Sequence, residues 1–175
     1  MKARLFILGL LLGIVLMGCT NTNSSSITNS KSVSVAMVED AVMPSTTIYI
    51  THVESNNKYG KILSSNGTKF LIASLFAKNT SSESISIDAS NFKLTDGKNT
   101  YEPITQNLSN YYEAINNTQY GPKIEKFGVV LFELPESISA KNDTLPGWKL
   151  LYENDNEKAT FDLSERKGKL LSDGK

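Results

Sequence analysis

KFLIASLFAKNTSSESISIDASNFKLTD, residues 69–96, is the stretch on which the fold depends. Its first part, 70–77, is apolar at both odd and even positions, so both faces of an extended chain here are apolar. A strand of this kind lies in the middle of a sheet. After the polar turn cluster at 79–82, the segments 85–87 and 92–95 resume the alternation of half-buried strands. The stretch therefore predicts a central strand followed by two more strands of a packed β-structure.

The same alternation continues on both sides of this stretch, with turn signals about every ten residues. It predicts further strands at 46–54, 100–103, 127–134, 148–152 and 159–163. Asp96-Gly97 is a strong hairpin signal that joins the strand 92–95 to the strand 100–103. Because almost no helical pattern is present, we expect an all-β fold, an immunoglobulin-like antiparallel β-sandwich of about seven or eight strands.

The positions of two strands within the sheets follow from their patterns. The segment 127–134 is the only other one that is apolar on both faces, so we expect it to lie away from the sheet edges and to face 70–77 across the core. The segment 159–163 alternates apolar and polar residues, which predicts a final strand at one edge.

One segment, 106–117, departs from the strand pattern. Its apolar residues recur at helical spacing, which predicts either one short helix or an ordered loop; they are Leu108, Tyr111, Tyr112 and Ile115.

The aromatic residues of this region are candidates for a contact surface. Tyr111 and Tyr112, with Tyr120 nearby, carry the large rings that are enriched where proteins bind a partner. The alternative is that these rings cover the open edge of the sandwich. Because loops carry most binding specificity, we expect specificity in the loops 56–66 and 106–126.

The N-terminus has the three parts of a secretory signal peptide at residues 1–18: basic residues, an apolar run and a small residue. The apolar run is too short for a comfortable transmembrane helix, which needs roughly 20 residues. The tetrapeptide Leu16-Met17-Gly18-Cys19 resembles the lipobox of prokaryotic lipoproteins, in which the cysteine thiol receives a diacylglyceryl group. Cys19 is the only cysteine, so it has no partner for a disulfide within the chain. We therefore expect lipid attachment at Cys19.

The composition divides the remaining chain into three parts. Residues 19–45 are rich in Asn, Ser and Thr and are expected to form a tether between the membrane and the domain. Within them, the valine-rich run 33–42 has an alternative interpretation as a short strand or helix that docks on the domain. The sandwich is expected at 46–163, and 164–175 is expected to be a polar tail.

The charge balance excludes one class of partner. The chain has 18 basic and 18 acidic side chains and a net charge of zero. Proteins that bind nucleic acid rely on clustered lysine and arginine, and the only basic cluster here, near residue 166, is partly offset by acidic neighbours. We expect no nucleic-acid partner.

The strand sequences resemble a family of prokaryotic envelope lipoprotein domains of unknown function. The resemblance rests on the apolar run that ends in Lys78-Asn79, on Ile85-Ser86-Ile87, on 91–97 and on Tyr101-Glu102-Pro103. The fold it implies is immunoglobulin-like, of the telokin-like or immunoprotective-extracellular type. The family brings no catalytic residues, and its domains act as exposed modules for binding or spacing. The segment 106–126 departs from the family pattern.

A search for catalytic and metal-binding residues finds few candidates. His52 is the only histidine and lies within a predicted strand, so a structural role is favoured over a Ser-His-Asp arrangement. The alternation of Glu153, Asp155 and Glu157 is similar to an acidic calcium loop, but the glycine and the distal glutamate of such a loop are absent. Four other carboxylates fit strand or turn positions, and paired carboxylates for glycoside chemistry stay open at this stage; they are Asp88, Asp96, Glu102 and Glu133.

Two functions from different classes are consistent with these observations. The first is a non-catalytic binding module on the cell envelope, anchored by Cys19 to the outer face of the cytoplasmic membrane or to the outer membrane. Its partner is then another envelope protein or a surface ligand, and no cofactor or metal is needed. The second is an extracytoplasmic carrier of a small ligand or metal, or an enzyme built on a sandwich. A copper carrier needs Met and His clusters, and none occurs beyond the signal peptide.

Overall fold

The computed structural model describes residues 32–106, 108, 111, 113–155 and 157–167. Within these residues the chain forms thirteen β-strands and one short 3₁₀ turn. The strands are β1 (Ser32–Met37), β2 (Ala41–Val42), β3 (Thr46–Asn56), β4 (Lys58–Tyr59), β5 (Ile62–Leu63), β6 (Thr68–Asn79), β7 (Ile85–Ile87), β8 (Phe92–Thr95), β9 (Thr100–Tyr101), β10 (Thr118–Tyr120), β11 (Glu125–Pro135), β12 (Lys149–Asn154) and β13 (Glu157–Arg166). The 3₁₀ turn is Ala89–Asn91.

Two sheets form the body of the molecule. One has five strands in the order β1-β13-β12-β8-β9, and the other has four in the order β11-β6-β3-β2. All of these pairs are antiparallel except β1 with β13. Two small pairs, β4 with β5 and β7 with β10, lie outside the main sheets. The predicted all-β, immunoglobulin-like sandwich is confirmed.

The main core lies between the two sheets. The four-stranded sheet contributes alternate residues of its central strand, including Leu71 and Leu75, and the five-stranded sheet contributes rings such as Phe92 and Phe161. Phe92 and Tyr152 face each other on adjacent strands with ring centroids 5.1 Å apart. This packing follows from the alternation in the sequence, since every second side chain of a strand points to the same face.

The N-terminal strands correct the predicted domain boundary at residue 46. β1 pairs in parallel with β13, and β2 pairs with the start of β3, so 32–45 belong to the fold and not to the tether. Val33 and Val35 pack on the main core, while Ser32 and Ser34 are exposed. Of the two interpretations left open for the valine-rich run, the docked strand is therefore correct.

The C-terminal strand corrects two further expectations. β13 extends to Arg166, so the predicted boundary between domain and tail at residue 164 is too early. β13 also lies between β1 and β12 and is not an edge strand. Both differences have the same reason, because β1 pairs with the side of β13 that would otherwise be unpaired.

The predicted position of 127–134 is wrong. β11 is the edge strand of the four-stranded sheet and is paired directly with β6, where Phe127 lies beside Phe76. Its outer face is apolar because a loop covers it, and not because a second sheet packs there. The covering loop contributes Leu108 and Ala114 to a second, smaller core with Val129 and Leu131.

The covering loop is ordered where it is described and carries no helix at Gln106, Leu108, Tyr111 or 113–117, so the ordered-loop interpretation is correct for these residues. The Ile115 amide donates to the Val129 carbonyl at 3.0 Å, and the Val129 amide donates to the Glu113 carbonyl at 2.8 Å. These bonds pair the loop with the open edge of β11. Among the described residues, none belongs to a helix long and apolar enough to cross a membrane.

Candidate functional site

Two loops that are distant in sequence meet on the outer face of the four-stranded sheet. One is the β4–β5 hairpin, 58–63, and the other is the covering loop, of which 103–106, 108, 111 and 113–115 are described. Between them they enclose a groove above β6 and β11, here called the loop groove. The sequence predicts specificity in the loops 56–66 and 106–126. Both contribute to this groove, but residues 103–105, which also line it, precede the predicted second loop.

Tyr111 joins the two loops. Its ring packs against that of Tyr59 with centroids 5.2 Å apart, and its hydroxyl accepts a hydrogen bond of 2.9 Å from the Lys61 amide. The hairpin turns at Gly60, whose φ of +58° lies in the left-handed region that favours glycine. A Cβ at this position would also lie 2.1 Å from Cε1 of Tyr111. Glycine is therefore required here both for the turn and for the contact with Tyr111.

The floor of the loop groove is apolar. Phe70 and Leu131 are buried at the base and belong to the second core, which Ile62 and Ile104 join from the two loops. The backbone fixes the far wall as well, because the Ile104 amide donates to the Leu131 carbonyl at 2.8 Å. The groove is thus held by both packing and main-chain hydrogen bonds.

The loop groove has a cavity of about 340 Å³ with a mixed rim. Leu63 stands at the rim with 75% of its surface exposed, the largest exposed fraction among the large apolar side chains of the described residues. Thr105, Gln106 and Glu133 supply the polar part of the wall. A site of this composition can take an apolar group and orient it by a few hydrogen bonds.

Glu133 ties the groove to the turn before β6. Its Oε1 accepts hydrogen bonds of 2.6 Å from both the Ser65 amide and the Thr68 hydroxyl. The bonds from Thr68 and Ser65 outweigh the opposing effect of burial and lower the pKa of the Glu133 carboxyl. Glu133 is therefore charged at neutral pH and gives the groove its negative end.

The tyrosines predicted as contact residues have different positions. Tyr111 is half-buried at the hairpin, so it shapes the loop groove and also covers the edge of the sandwich. Tyr120 is completely buried in the main core, and burial, with Tyr152 nearby, raises the pKa of its phenol to about 12. The prediction of a surface contact at Tyr120 is therefore wrong, because β10 pairs with β7 and turns this ring inward. Tyr112 and Cys19 lie outside the described residues.

The other residues considered for chemistry have structural partners. His52 lies in β3 beside a register shift, and its Nδ1 is 3.1 Å from the Thr51 hydroxyl. Glu153 is paired with Lys158 at 2.5 Å, while Glu157 bonds to Ser45, so the acidic run 153–157 does not converge. Within the described ranges, no group of three His, Cys, Asp or Glu side chains is placed to hold a metal ion.

The remaining carboxylates act in turns and on the surface. Burial alone would raise the pKa of Asp88, but hydrogen bonds from Ser90 and Asn117 lower it overall. Hydrogen bonds from Asn99 and Lys98 likewise lower the pKa of Asp96 in the β8–β9 turn. Glu102 is exposed and paired with Lys93 at 2.9 Å. None of the three lines the loop groove.

Sequence reasoning misses the apolar residues of the β4–β5 hairpin. Ile62 and Leu63 follow an Asn-rich turn and precede a second turn, so their pattern alone predicts no strand. The signal that could have found them is an apolar pair between two turns. A strand of two residues is too short to bury its own apolar side chains, so such a pair must pack on another element.

The comparisons with known proteins give one family model and several solved structures of similar fold. The family model described as "Domain of unknown function (DUF4352)" matches residues 21–146. No curated protein matches the chain.

Three solved structures have a similar fold. The ycdA protein of Bacillus subtilis, proposed to be a lipoprotein, is 16% identical with a TM-score of 0.54; the match covers 72% of this chain but only 39% of that protein. An uncharacterised β-sandwich protein of Clostridium difficile is 14% identical with a TM-score of 0.52, over 75% of this chain and 93% of the other. The secreted protein MPT63 of Mycobacterium tuberculosis is 10% identical with a TM-score of 0.54, and the match covers 75% of this chain and 98% of the other. At these identities the likeness shows a common fold.

Proposed function

Since the chain belongs to the DUF4352 family, a domain family of unknown function, we propose its role from its own site: it is a cell-envelope lipoprotein whose β-sandwich is a non-catalytic binding module. Its lipid anchor is Cys19, and its binding site is the loop groove. The partner is another envelope protein that inserts an apolar side chain between the β4–β5 hairpin and the covering loop. The observation that carries this proposal is the apolar, loop-built groove with Leu63 exposed at its rim.

The composition of the groove supports binding over catalysis. Its floor is aliphatic and aromatic. Among the described residues of its wall the one carboxylate is that of Glu133, and one of its oxygens accepts hydrogen bonds from Ser65 and Thr68. A general acid or base needs a free oxygen aimed at the reacting group and a pKa near the working pH. The hydrogen bonds on Glu133 instead move its pKa downward.

The exposed leucine supports a protein partner. A side chain such as Leu63, exposed to 75%, keeps an apolar surface in water that would be removed at an interface. Removing about 100 Å² of apolar surface from water contributes roughly 2.5 kcal/mol. The polar rim, with Gln106 and Glu133, then provides the hydrogen bonds found around the apolar centre of an interface.

The anchor supports the location in the cell envelope. The apolar run before Cys19 and the lipobox-like tetrapeptide 16–19 are the two sequence features that export and lipid attachment require. A single acyl chain holds a protein only weakly, whereas two or more give stable attachment, so a diacylglyceryl group keeps the sandwich at the membrane.

The experiment is a comparison of two surface substitutions. Partners are crosslinked in intact cells and co-purified with the full chain carrying either Leu63→Ser or Val42→Ser. Val42 is the matched control, since it is 63% exposed but lies on β2, at the edge of the four-stranded sheet opposite β11 and the loop groove. We expect Leu63→Ser to weaken capture of a specific partner by about tenfold or more and Val42→Ser to leave it unchanged. Equal capture by both variants would contradict the proposal.

A further inference from the structure

Two of the four exposed large apolar side chains of the described residues lie close together in sequence at the start of β11. Ile124 is 46% exposed and Phe127 is 40% exposed, and every residue of the segment 122–127 is exposed. They lie at the opposite end of the strand from the loop groove, which β11 reaches only at Leu131 and Glu133. The loop groove therefore does not account for their exposure.

Phe127 continues a row of aromatic rings across the outer face of the four-stranded sheet. Tyr49 of β3, Phe76 of β6 and Phe127 are direct neighbours in the strand register. The Tyr49 ring stacks on that of Phe76 with centroids 5.2 Å apart, and the Phe127 ring meets Phe76 edge-on at 5.4 Å. Each of these rings keeps part of its surface in water. Together with Ile124 they form an apolar surface, here called the aromatic patch, of the kind that marks a contact with a partner or a membrane.

Three exposed lysines accompany the aromatic patch. Lys78 lies on the same face of β6 as Phe76, two residues further along the strand. The ammonium groups of Lys123 and Lys126 each donate to a backbone carbonyl outside β11. Because an ammonium group has three N–H donors, both lysines keep donors for a ligand. The acidic side chains beside the patch are fewer; they are Asp40 and Glu125.

The chain enters the sandwich at the same end. β1 begins at Ser32, beside the start of β13. The first residue of β13 accepts a hydrogen bond of 2.8 Å from the Ser45 hydroxyl, just before β3. The start of β3 pairs with the end of β6, where the Asn79 amide donates to the Ile124 carbonyl at 3.0 Å. These contacts place Ser32 and the aromatic patch at one end of the molecule, here called the entry end.

The reach of the anchor favours the entry end for contact with lipid. In the proposed function the membrane holds Cys19, and 13 residue steps separate it from Ser32. A fully extended chain of this length spans at most about 45 Å. The loop groove lies roughly 26 Å beyond the patch, the length of β6 from Phe70 to Lys78. The entry end can therefore meet the lipid headgroups through a short connection, whereas the opposite end would need that connection to run back along the sandwich.

We propose that the aromatic patch and its three lysines dock on the lipid headgroups of the membrane that holds the anchor. This inference rests on the lipid attachment at Cys19 in the proposed function. Ile124 and Phe127 enter the interfacial layer, where apolar side chains leave water, and the lysine ammonium groups bind lipid phosphates. The docked orientation turns the loop groove away from the membrane, so the groove stays open to a partner.

The test measures which end of the lipidated full chain touches lipid. The chain is reconstituted into vesicles of phosphatidylcholine and phosphatidylglycerol, and flotation of the vesicles first checks the anchor. An environment-sensitive NBD label is attached to a cysteine introduced by Phe127→Cys or, as a second reporter, by Ile124→Cys. Leu63→Cys is the matched control, since Leu63 is an exposed apolar residue at the opposite end. We expect a nitroxide-labelled lipid to quench the label at 127 and at 124 but not at 63.

Lysine variants test the charged part of the surface. Lys123→Gln with Lys126→Gln, in the chain labelled at 127, should lower the ratio of docked to undocked protein by roughly fivefold for each lysine. Lys98→Gln with Lys141→Gln is the matched control, because both lysines are exposed and lie at the opposite end of the sandwich. This control should leave the quenching unchanged. Circular dichroism of every variant checks that it is folded.

The outcomes separate this inference from the proposed function. A chain that does not float with the vesicles refutes the lipid anchor and, with it, the docking. A chain that floats, but whose labels at 127 and 124 are quenched no more than the label at 63, overturns the docking alone. Quenching that is equal in the two lysine double variants would also contradict it. Quenching confined to the entry end and reduced by the Lys123 and Lys126 changes supports the proposal.

Discussion

Replacing Gly128 with alanine places a methyl group where the side chain of Ile115 now enters the core. A Cβ on Gly128 would lie 2.6 Å from Cγ1 and 2.9 Å from Cδ1 of Ile115. Ile115 comes from the covering loop, is 2% exposed and belongs to the main core between the sheets. The missing side chain of Gly128 therefore lets the loop pass around the edge of β11 and insert a residue into the core.

The expected loss of stability follows from the two kinds of core substitution, overpacking and cavity formation. Gly128→Ala overpacks the core and is expected to lower the free energy of unfolding by about 1–3 kcal/mol. Ile115→Ala leaves a cavity and is expected to lower it by about 2–5 kcal/mol. In the double variant the new methyl group occupies part of that cavity. The combined loss should therefore be smaller than the sum of the single losses by about 1 kcal/mol or more.

The assay is urea unfolding of the full chain, followed by the fluorescence of Trp148. This is the only tryptophan, and it packs on the main core with its ring 5.6 Å from that of Tyr101. The control is Gly97→Ala. This change has its own cost, because φ at Gly97 is +87°, but a Cβ there would meet no atom of the described residues within 4 Å, so its cost should add to that of Ile115→Ala. If Gly128→Ala and Ile115→Ala are also additive, within about 0.5 kcal/mol, the loop is not inserted as described.

Three further predictions concern the loop groove and the anchor. Gly60→Ala should lower the free energy of unfolding by roughly 1–3 kcal/mol in urea melts, because it combines a strained φ with a clash against Tyr111; an unchanged midpoint would contradict this. Glu133→Gln should lower the free energy of unfolding by about 1 kcal/mol or less at neutral pH. Because the folded-state pKa of Glu133 is lowered, the difference in unfolding free energy between variant and wild type should shrink as the pH falls below about 4.3 and through that pKa. A difference that persists in acid would exclude the charged hydrogen bonds. Cys19→Ser should move the chain out of the membrane fraction without unfolding it, and retention there would replace the lipid anchor with a membrane-spanning segment.

The sheet strands with strong alternation could be predicted from the sequence. The strands at 46–54, 92–95, 127–134 and 148–152 all occur, and the Asp96-Gly97 hairpin joins β8 to β9 as expected. In these segments the apolar pattern and the turn residues agree, so local preference and tertiary packing lead to the same structure.

The partner of each strand could not be predicted where a loop takes the place of a sheet. β11 is apolar on both faces, and the pattern does not distinguish a strand covered by a second sheet from an edge strand covered by a loop. The covering loop itself has apolar residues at helical spacing, yet Ala114 forms a bridge with Val129 and pairs with the strand. Tertiary contacts overrode the local pattern there.

β1 was hidden by its composition. Ser32 and Ser34 alternate with Val33 and Val35, and the surrounding Asn, Ser and Thr residues are typical of a tether. β1 is stabilised by parallel pairing with β13, which lies more than 100 residues away in the sequence. A local sequence pattern does not indicate so distant a partner. The hydrogen bond between Ser45 and Glu157 was hidden for the same reason, because these two residues meet only in the folded chain.

The measurement that tests the loop groove most directly is site-specific photocrosslinking in intact cells. A photoreactive residue replaces Leu63 in one variant and Val42 in the other. Both are exposed apolar positions, but Leu63 lies in the β4–β5 hairpin at the groove and Val42 on β2, at the edge of the four-stranded sheet opposite β11. We predict that position 63 gives one dominant crosslinked envelope protein and that position 42 does not crosslink to it. Crosslinking of the same protein at equal yield from both positions, or no crosslinked protein from position 63, would contradict the assignment of the groove as the binding site.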